Sequence, residues 1–136
     1  MLKVTCAIII RNKRILIAQH GENSNHPFQW EFPGGKMLPG ESPESCVIRE
    51  INEELDIGIE ILEQIVPVTF DYGMKTIELI PFICRWESGK ISLNEHIAIR
   101  WISIGELADI DFSGADQKLI SNQENLNRLK KHLGKD

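Results

Sequence analysis

The sequence predicts one α/β domain that contains a mixed β-sheet and at least two helices. The chain has 136 residues, which is enough for one domain core and too few for two large ones. Hydrophobic residues make up 42% and charged residues 26%, the balance that is typical of a globular protein. Apolar, β-rich segments and segments of helical periodicity follow one another along the chain. We therefore expect residues 1–136 to form a single domain.

The N-terminal part begins with a predicted β-hairpin. Residues 3–10 and 15–18 are apolar and β-rich, and the polar segment 11–14 between them indicates a turn. A polar loop at residues 20–29 follows the hairpin. The Pro-Gly-Gly segment at residues 33–35 then indicates a second loop, in which glycine permits unusual backbone angles.

The segment 42–55 carries the signals of an amphipathic helix. Ser42 is a favoured N-cap residue, and Pro43 is favoured at the first helical position. Apolar side chains recur at helical spacing and are expected to share one face: Val47, Ile48, Ile51 and Leu55.

Three further strands and a second long helix are predicted beyond this helix. The strands cover residues 59–72, 76–86 and 96–102, and a short helical turn covers residues 104–107. The last helix is expected to span residues 115–133. Its buried stripe would consist of leucines: Leu119, Leu126, Leu129 and Leu133.

The acidic residues are concentrated in one short stretch of the chain. The formal net charge is −5, which argues against a general nucleic-acid-binding or scaffold surface of the basic kind. Residues 41–57 account for this whole excess, and the remainder of the chain is balanced. The charged residues of the stretch are six acids and one base: Glu41, Glu44, Arg49, Glu50, Glu53, Glu54 and Asp56.

Composition also excludes some locations and frameworks. No apolar run approaches the roughly 18 residues of a membrane span, and charge soon interrupts the N-terminal segment, so neither membrane association nor secretion is expected. The three cysteines form no Cys-x-x-Cys pair, which argues against a disulfide framework or a zinc site: Cys6, Cys46 and Cys84. This cysteine usage favours a cytoplasmic protein.

Three glutamates on the first helix suggest a chemical role. Glu50, Glu53 and Glu54 have spacings that put their side chains on one helical face, where they repel one another. One interpretation is a solvated acidic face, and the other is a site for a hard divalent cation such as Mg²⁺ or Mn²⁺. The upstream Gly34-Gly35 turn favours the second, because glycine lets the backbone approach a ligand closely.

Residues 35–57 resemble the Nudix box. That motif reads Gly, five residues, Glu, seven residues, then Arg-Glu-apolar-any-Glu-Glu-any-Gly-apolar. Every defined position matches except the last glycine, which is replaced by Asp56, a residue type that tolerates the left-handed conformation. The segment 30–36, Trp-Glu-Phe-Pro-Gly-Gly-Lys, resembles the approach to the box in the MutT-like branch. The resemblance implies a Nudix fold, with the mixed sheet sandwiched between helices (α/β/α).

The resemblance also implies an activity. MutT-like members hydrolyse a nucleoside triphosphate to the monophosphate and pyrophosphate with Mg²⁺, and Mn²⁺ is an alternative ion. The substrate is then either CTP or a modified pyrimidine nucleotide, or an oxidised purine nucleotide such as 8-oxo-dGTP. ADP-ribose and dinucleoside polyphosphates are other Nudix substrates. A non-catalytic binding module is disfavoured because the box acids are all present. Family analogy implies a monomer or homodimer.

The box positions imply roles for individual residues. One backbone carbonyl and three carboxylates would be the metal ligands: Gly34, Glu50, Glu53 and Glu54. Arg49 would orient the carboxylates through charge-assisted hydrogen bonds. Glu41 would support the box loop or the metal shell, and Lys36 would meet either phosphate or an acid of the box.

Positions outside the box complete the implied site. The general base is either a box glutamate or an acid from a distant loop, for which Glu95, six residues before Trp101, is the candidate. Asp116 occupies the place where similar proteins read the nucleobase edge, and it is otherwise an ordinary acid at a helix N-terminus. His20 stands where similar proteins often carry an arginine that contacts phosphate, so that contact is in question.

Two aromatic residues offer a stacking surface for the nucleobase. Phe70 and Tyr72 alternate on one predicted strand and therefore point to the same side. One of them is expected to line the base pocket, although aromatic pairs in strands also serve as core. His26, in the polar loop, is expected to face solvent.

Overall fold

The computed structural model describes residues 1–136 as eight strands, three α-helices and one 3₁₀ helix. The strands are β1 (Leu2–Arg11), β2 (Arg14–Gln19), β3 (Trp30–Glu31), β4 (Gly34–Lys36), β5 (Ile57–Gln64), β6 (Val68–Asp71), β7 (Thr76–Gly89) and β8 (Ala98–Ile102). The α-helices are α1 (Pro43–Leu55), α2 (Gly114–Ser121) and α3 (Gln123–Lys135), and the 3₁₀ helix spans Ile104–Asp109. None of the helices combines the length and the hydropathy that crossing a membrane requires.

The strands form one mixed sheet, as predicted. The main order is β3-β2-β1-β7-β5, while β4 also pairs with β1, β6 with β7 and β8 with β2. Strands β1 and β7 run parallel, from the pair Leu2–Ile77 to the pair Ile10–Arg85, and the other pairings are antiparallel. The long β1–β7 ladder forms the middle of the sheet and supports the elements on both faces.

The sheet lies between helices, which confirms the α/β/α arrangement. Successive residues of β1 alternate between two cores, because side chains of a strand point to opposite faces. Ile8 and Ile10 belong to the core that α2 and α3 cover. Ala7 and Ile9 belong to the core that α1 covers. Burial on both faces explains why β1 is a nearly continuous apolar run rather than an alternating one.

The predicted hairpin is present and its turn has a defined geometry. Asn12 and Lys13 have positive φ angles of 51° and 63°. Two consecutive left-handed residues are the signature of a type I′ turn, whose twist matches that of the flanking strands. The pairs Ile10–Ile15 and Arg11–Arg14 close the ladder beside it.

Helix α1 begins and ends as its sequence predicts. The Ser42 side chain caps the N-terminus by accepting a hydrogen bond from the Ser45 N–H (3.1 Å), and Pro43 opens the helix. The helix ends at Asp56, whose φ of 59° and ψ of 27° are left-handed, and whose N–H donates to the Asn52 carbonyl. Asp56 therefore adopts the conformation that the consensus glycine provides at this position.

The buried face of α1 differs from the prediction at one residue. Val47, Ile51 and Leu55 are fully buried against the sheet, but Ile48 is 43% exposed. The stripe follows steps of four residues, and Ile48 lies about 100° around the helix from Val47. Cys46 occupies the buried position beside the stripe instead.

Three of the predicted strands have different bounds, and the one predicted to end at residue 86 continues to Gly89. The predicted strand 59–72 is two strands, β5 and β6, and Pro67 lies between them without an N–H to give to a ladder. The predicted strand 96–102 begins only at Ala98.

The Pro-Gly-Gly segment is partly a strand rather than a loop, because Gly34–Lys36 pairs with β1. A Cβ added at Gly34 would lie 2.0 Å from the Thr5 carbonyl oxygen, so only glycine permits this close pairing.

The predicted last helix is interrupted at Asn122. This residue has a non-helical ψ of 117°, and its side chain accepts a hydrogen bond from the Asn125 N–H (3.0 Å). Asparagine favours the N-cap position because it satisfies a free backbone donor there, so the chain starts a new helix instead of continuing the old one. Of the predicted stripe, Leu119, Leu129 and Leu133 are buried, while Leu126 is only half-buried.

A buried asparagine on α3 makes two hydrogen bonds to the segment that connects β5 and β6. Asn125 Oδ1 accepts from the Val66 N–H (2.7 Å), and its Nδ2 donates to the Val66 carbonyl (3.0 Å). We expect Asn125→Ala to lower the free energy of unfolding by about 1–3 kcal/mol, because two partly buried backbone groups of Val66 lose their partners. Urea denaturation measures this, with the exposed Asn127→Ala as the control, which is expected to stay within about 0.5 kcal/mol of the wild type. Equal stability of the two variants would contradict the assignment.

Candidate active site

A cleft of about 530 Å³ contains many of the predicted site residues. Its lining includes six of them: Gly34, Lys36, Glu54, Tyr72, Glu95 and Asp116. Arg49, Glu50 and Glu53 lie outside the lining and form a separate network on α1. The cleft therefore joins the end of α1, the glycine segment and the start of α2, which the sequence separates widely.

Arg49 organises the acids of α1 and of the preceding loop. Its guanidinium makes two hydrogen bonds to Glu41, from Nε to Oε2 (2.7 Å) and from Nη2 to Oε1 (2.9 Å). Its Nη1 donates to Glu50 (2.9 Å) and Glu53 (3.2 Å). Arg49 lowers the pKa of Glu41 to about 2, with a further contribution from the Leu38 N–H. The position of Arg49 agrees with the orienting role that its place in the motif implies.

The glycine segment leaves room for the acids of α1. A Cβ added at Gly35 would lie 2.3 Å from the carboxyl carbon of Glu50. Any larger residue would therefore displace Glu50 or push β4 away from α1. Lys36 continues the strand, and its carbonyl accepts from Arg49 Nη2 (3.2 Å), so β4 and α1 are fixed to each other at this point.

Glu54 is the box acid that enters the cleft. The residue is only 3% exposed, and its Oε2 has no hydrogen-bond partner. Burial, and then the neighbouring Glu31 and Glu95, raise the pKa of Glu54 to about 10. A carboxylate in such a setting stays ionised at neutral pH only if a cation approaches it. Oε2 of Glu54 is thus a buried oxygen without a hydrogen-bond partner, and other carboxylates lie near it. Such a set of donors fits a hard divalent cation, which prefers oxygen ligands.

The loop that carries Glu95 is tied directly to the end of α1. The Asn94 N–H donates to the Glu54 carbonyl (3.0 Å), and the Asn94 side chain donates to the Glu53 carbonyl (2.9 Å). The Ser92 N–H donates to the Leu55 carbonyl (2.9 Å). These bonds satisfy free carbonyls of the last helical turn, and they hold Glu95 beside Glu54.

The three box glutamates do not form one compact donor group. Glu50 and Glu53 are bound to Arg49, and their carboxylates must turn toward Glu54 for all three to share one ion. The compact group in the structure has a different membership, with donor atoms within 4.8 Å of one another: Glu31, Glu54 and His96.

Asp116 lies at the bottom of the same cleft and is fully enclosed. It accepts hydrogen bonds from the Phe32 N–H (3.0 Å) and the Ser113 hydroxyl (2.6 Å). Burial and the nearby Glu31 raise the pKa of Asp116. None of these partners is a free N–H group of α2, although Asp116 lies in the first turn of that helix and Ser113 is its N-cap residue. Each carboxylate oxygen keeps a second lone pair for a ligand.

The two predicted aromatic residues have different environments. Tyr72 lines the cleft, and its hydroxyl accepts from the Ala115 N–H (2.8 Å). Phe70 is absent from the lining and packs against α2, where a Cβ added at Gly114 would lie 2.4 Å from its ring. Of the two, Tyr72 is therefore the one that lines the cleft, while the Phe70 ring lies 4.6 Å behind it, centroid to centroid.

A cluster of histidines around Glu31 is missing from the sequence prediction. His96 Nε2 lies 2.7 Å from one Glu31 oxygen, and His20 Nε2 lies 3.0 Å from the other. Burial raises the pKa of Glu31, but the two imidazoles outweigh it and leave that pKa below its usual value. His26 also lines the cleft, 5.1 Å from the Tyr72 ring, rather than facing open solvent.

Comparison with known proteins agrees with this arrangement. The NUDIX domain model matches residues 1–123. The chain is 32% identical over 120 residues to the CTP pyrophosphohydrolase of Escherichia coli (strain K12), covering 88% of this chain and 89% of that protein. It is 31% identical over 130 residues to the 8-oxo-dGTP diphosphatase of the same organism, covering 93% of this chain and 100% of that protein.

Solved structures also resemble this chain in fold. The solution structure of the E. coli ORF135 protein superposes with a TM-score of 0.80 at 30% sequence identity, covering 100% of this chain and 95% of that one. The family model covers most of the chain, including the acids of α1 and the glycine segment. The chain therefore belongs to the NUDIX domain family, as a MutT-like Nudix hydrolase.

Proposed function

We propose that the protein hydrolyses a nucleoside triphosphate to the monophosphate and pyrophosphate in a reaction that depends on Mg²⁺. The observation that carries this proposal is one cleft lined both by Glu54 and Glu95 and by Asp116 and Tyr72. The first pair suits a metal-bound polyphosphate, and the second suits the edge and face of a nucleobase. The names of the two E. coli relatives support the same class of substrate.

Four groups would hold the ion in this proposal: the Gly34 carbonyl, Glu50, Glu53 and Glu54. When bound there, the ion would supply charge neutralisation for the phosphate oxygens and a lowered pKa for the attacking water. Arg49 bonds Glu50 and Glu53, whose carboxylates would turn toward Glu54 when the ion binds. Lys36 lines the cleft and offers its ammonium group to the phosphate chain. The protein's contribution is therefore positioning and electrostatics, which carry most of the rate in phosphoryl transfer.

Glu95 is our choice for the general base that accepts the proton of the attacking water. Its loop is bonded to the last turn of α1, so its carboxylate is held beside Glu54. We expect Glu95→Gln to lower kcat by at least about tenfold with the fold intact, because the amide cannot accept that proton. Steady-state kinetics measures kcat, and circular dichroism checks that the fold is intact. A wild-type kcat in this variant would assign the base to a box glutamate instead.

Asp116 is proposed to select the nucleobase. Cytosine and 8-oxoguanine both present an exocyclic amino group, from which a carboxylate oxygen of Asp116 accepts a hydrogen bond. The shared amino group would let one carboxylate serve either kind of substrate, and the two E. coli relatives are named for one of each. Both a CTP-type and an 8-oxo-dGTP-type substrate are therefore compatible with this role of Asp116.

A nucleotide panel with product analysis tests the proposal. The wild-type chain and Mg²⁺ are incubated separately with CTP, 5-methyl-dCTP, 8-oxo-dGTP, ATP, ADP-ribose and a dinucleoside tetraphosphate. We expect the highest kcat/KM with one of the amino-bearing triphosphates, and equal amounts of monophosphate and pyrophosphate by ion-exchange chromatography. Release of orthophosphate and a diphosphate, or preference for ADP-ribose, would contradict the proposed reaction.

A further inference from the structure

The most compact donor group in the protein contains an imidazole, which the box does not. Donor atoms of Glu31, Glu54 and His96 lie within 4.8 Å of one another. Ligands at about 2.1 Å from a tetrahedral ion lie about 3.4 Å apart, so a pair at the 4.8 Å limit must close by about 1.4 Å to share the ion. Side-chain rotation can supply a movement of this size, and the donor atoms are already grouped before any ion arrives.

Two members of this group carry buried atoms without partners. Glu54 is 3% exposed and its Oε2 accepts no hydrogen bond. His96 is 8% exposed, one of its ring nitrogens bonds Glu31, and the other, Nδ1, has no partner. Buried polar atoms are nearly always satisfied, so two orphans in one small group indicate that a bound species is missing from their surroundings.

The surroundings of Glu31 resemble the support that metal ligands receive. Its second oxygen lies 3.0 Å from His20 Nε2, close enough for an ion pair when the imidazole is protonated, although the contact lacks hydrogen-bond geometry. Metal ligands are commonly oriented by neighbouring groups of this kind. All the members line the cleft, so an ion reaches them from solvent and keeps an open coordination position.

We propose that Glu31, Glu54 and His96 form a second divalent-cation position, which takes a transition ion such as Zn²⁺ or Co²⁺ rather than Mg²⁺. Imidazole nitrogen suits these ions, whereas Mg²⁺ prefers oxygen ligands alone. Two carboxylates, one imidazole and an open position match the ligand number of an accessible zinc site. Glu54 belongs to this group and to the box, so an ion here lies next to the Mg²⁺ position of the proposed function. The inference concerns binding by the free protein and does not require hydrolysis to occur.

Zinc binding by the wild-type chain without nucleotide tests this position. Titration calorimetry with Zn²⁺ alone is expected to give one site, and X-ray absorption at the zinc edge is expected to show histidine scattering. Imidazole ¹⁵N NMR is expected to shift most for His96, while His132 stays unchanged. Because these measurements use the wild type, they do not depend on the folding of any variant. Zinc held by oxygen ligands alone, or no zinc binding, would overturn the proposal.

Variants supply the second arm of the experiment. His96→Gln is expected to weaken Zn²⁺ binding by about 100-fold or more, and His20→Gln by about tenfold, because it removes an outer partner only. His132→Gln is the matched control, since His132 also bonds a glutamate, Glu63, through Nε2 (2.9 Å) and lies outside the group. Zinc affinity within twofold of the wild type in His96→Gln would refute the assignment.

The two proposals fail separately. Pyrophosphate release with Mg²⁺, measured on the same preparation, tests the proposed function. Release without histidine coordination of zinc overturns the second position and leaves the function standing. Histidine coordination of zinc without release from any nucleotide overturns the proposed function and leaves the second position standing.

Discussion

Replacing Glu54 with Gln is expected to lower Mg²⁺-dependent pyrophosphate release by about 10³-fold, because the amide removes the negative charge that holds the ion in the cleft. Glu54 is the only acid of the three box glutamates that lines the cleft. Its buried Oε2 has no partner within the protein, so this charge is available to a cation. The loss is expected in kcat as well as in the Mg²⁺ concentration required for half-maximal rate.

The fold of this variant should be intact. Without an ion, the raised pKa of Glu54 means that its carboxylate takes up a proton on folding at neutral pH, a cost that glutamine does not carry, so Glu54→Gln is expected to unfold at the same or a higher temperature than the wild type. Glu44→Gln is the matched control, because Glu44 lies on the same helix and faces solvent. Turnover of Glu54→Gln within tenfold of Glu44→Gln would contradict the assignment of Glu54 as a metal ligand.

The second large effect is expected for Arg49→Ala, with a loss of about 100-fold in kcat/KM. Arg49 connects Glu41 in the preceding loop to Glu50 and Glu53 on α1. Without the guanidinium, these acids repel one another and lose their fixed orientation near Glu54. The expected signature is a raised Mg²⁺ requirement, which titration of the rate with Mg²⁺ measures.

Two further variants make the Arg49 result specific. Arg49→Lys is expected to recover only part of the activity, because an ammonium group cannot reproduce the two parallel bonds to Glu41. Arg128→Ala removes another arginine that bonds two glutamates, Glu63 and Glu124, far from the box in sequence. It is expected to leave turnover unchanged. An equal loss of activity in Arg49→Ala and Arg128→Ala would mean that the effect is general destabilisation.

The features that sequence reasoning predicted correctly depend on local signals. The hairpin follows from a polar turn between two apolar segments, and α1 follows from Ser42, Pro43 and the apolar spacing behind them. The two missed breaks also had local signals. Pro67 interrupts the predicted strand, and Asn122 is a favoured N-cap residue whose side chain accepts from the Asn125 N–H. At both positions the longer apolar pattern around the break favours one continuous element, and the local signal is weaker than that pattern.

The site was predictable only where one motif contains it. Spacing within residues 35–57 brings Arg49, Glu50 and Glu53 together on one helix. The bond between Glu31 and His96 joins residues 65 positions apart, and it depends on how the 90–97 loop packs against β3. No local pattern encodes such a contact. For the same reason, the sequence could not separate Tyr72, which lines the cleft, from Phe70, which packs against α2.

The central claim is that carboxylates of the box bind the cation through which this acidic protein receives a nucleoside triphosphate. The most direct test is the rate of pyrophosphate release by the wild-type chain from its best nucleotide, measured across a Mg²⁺ titration that starts from a chelated preparation. We expect no release without a divalent ion and a saturable rise as Mg²⁺ is added. Release that is unaffected by chelation, or no release from any nucleotide at saturating Mg²⁺, would contradict it.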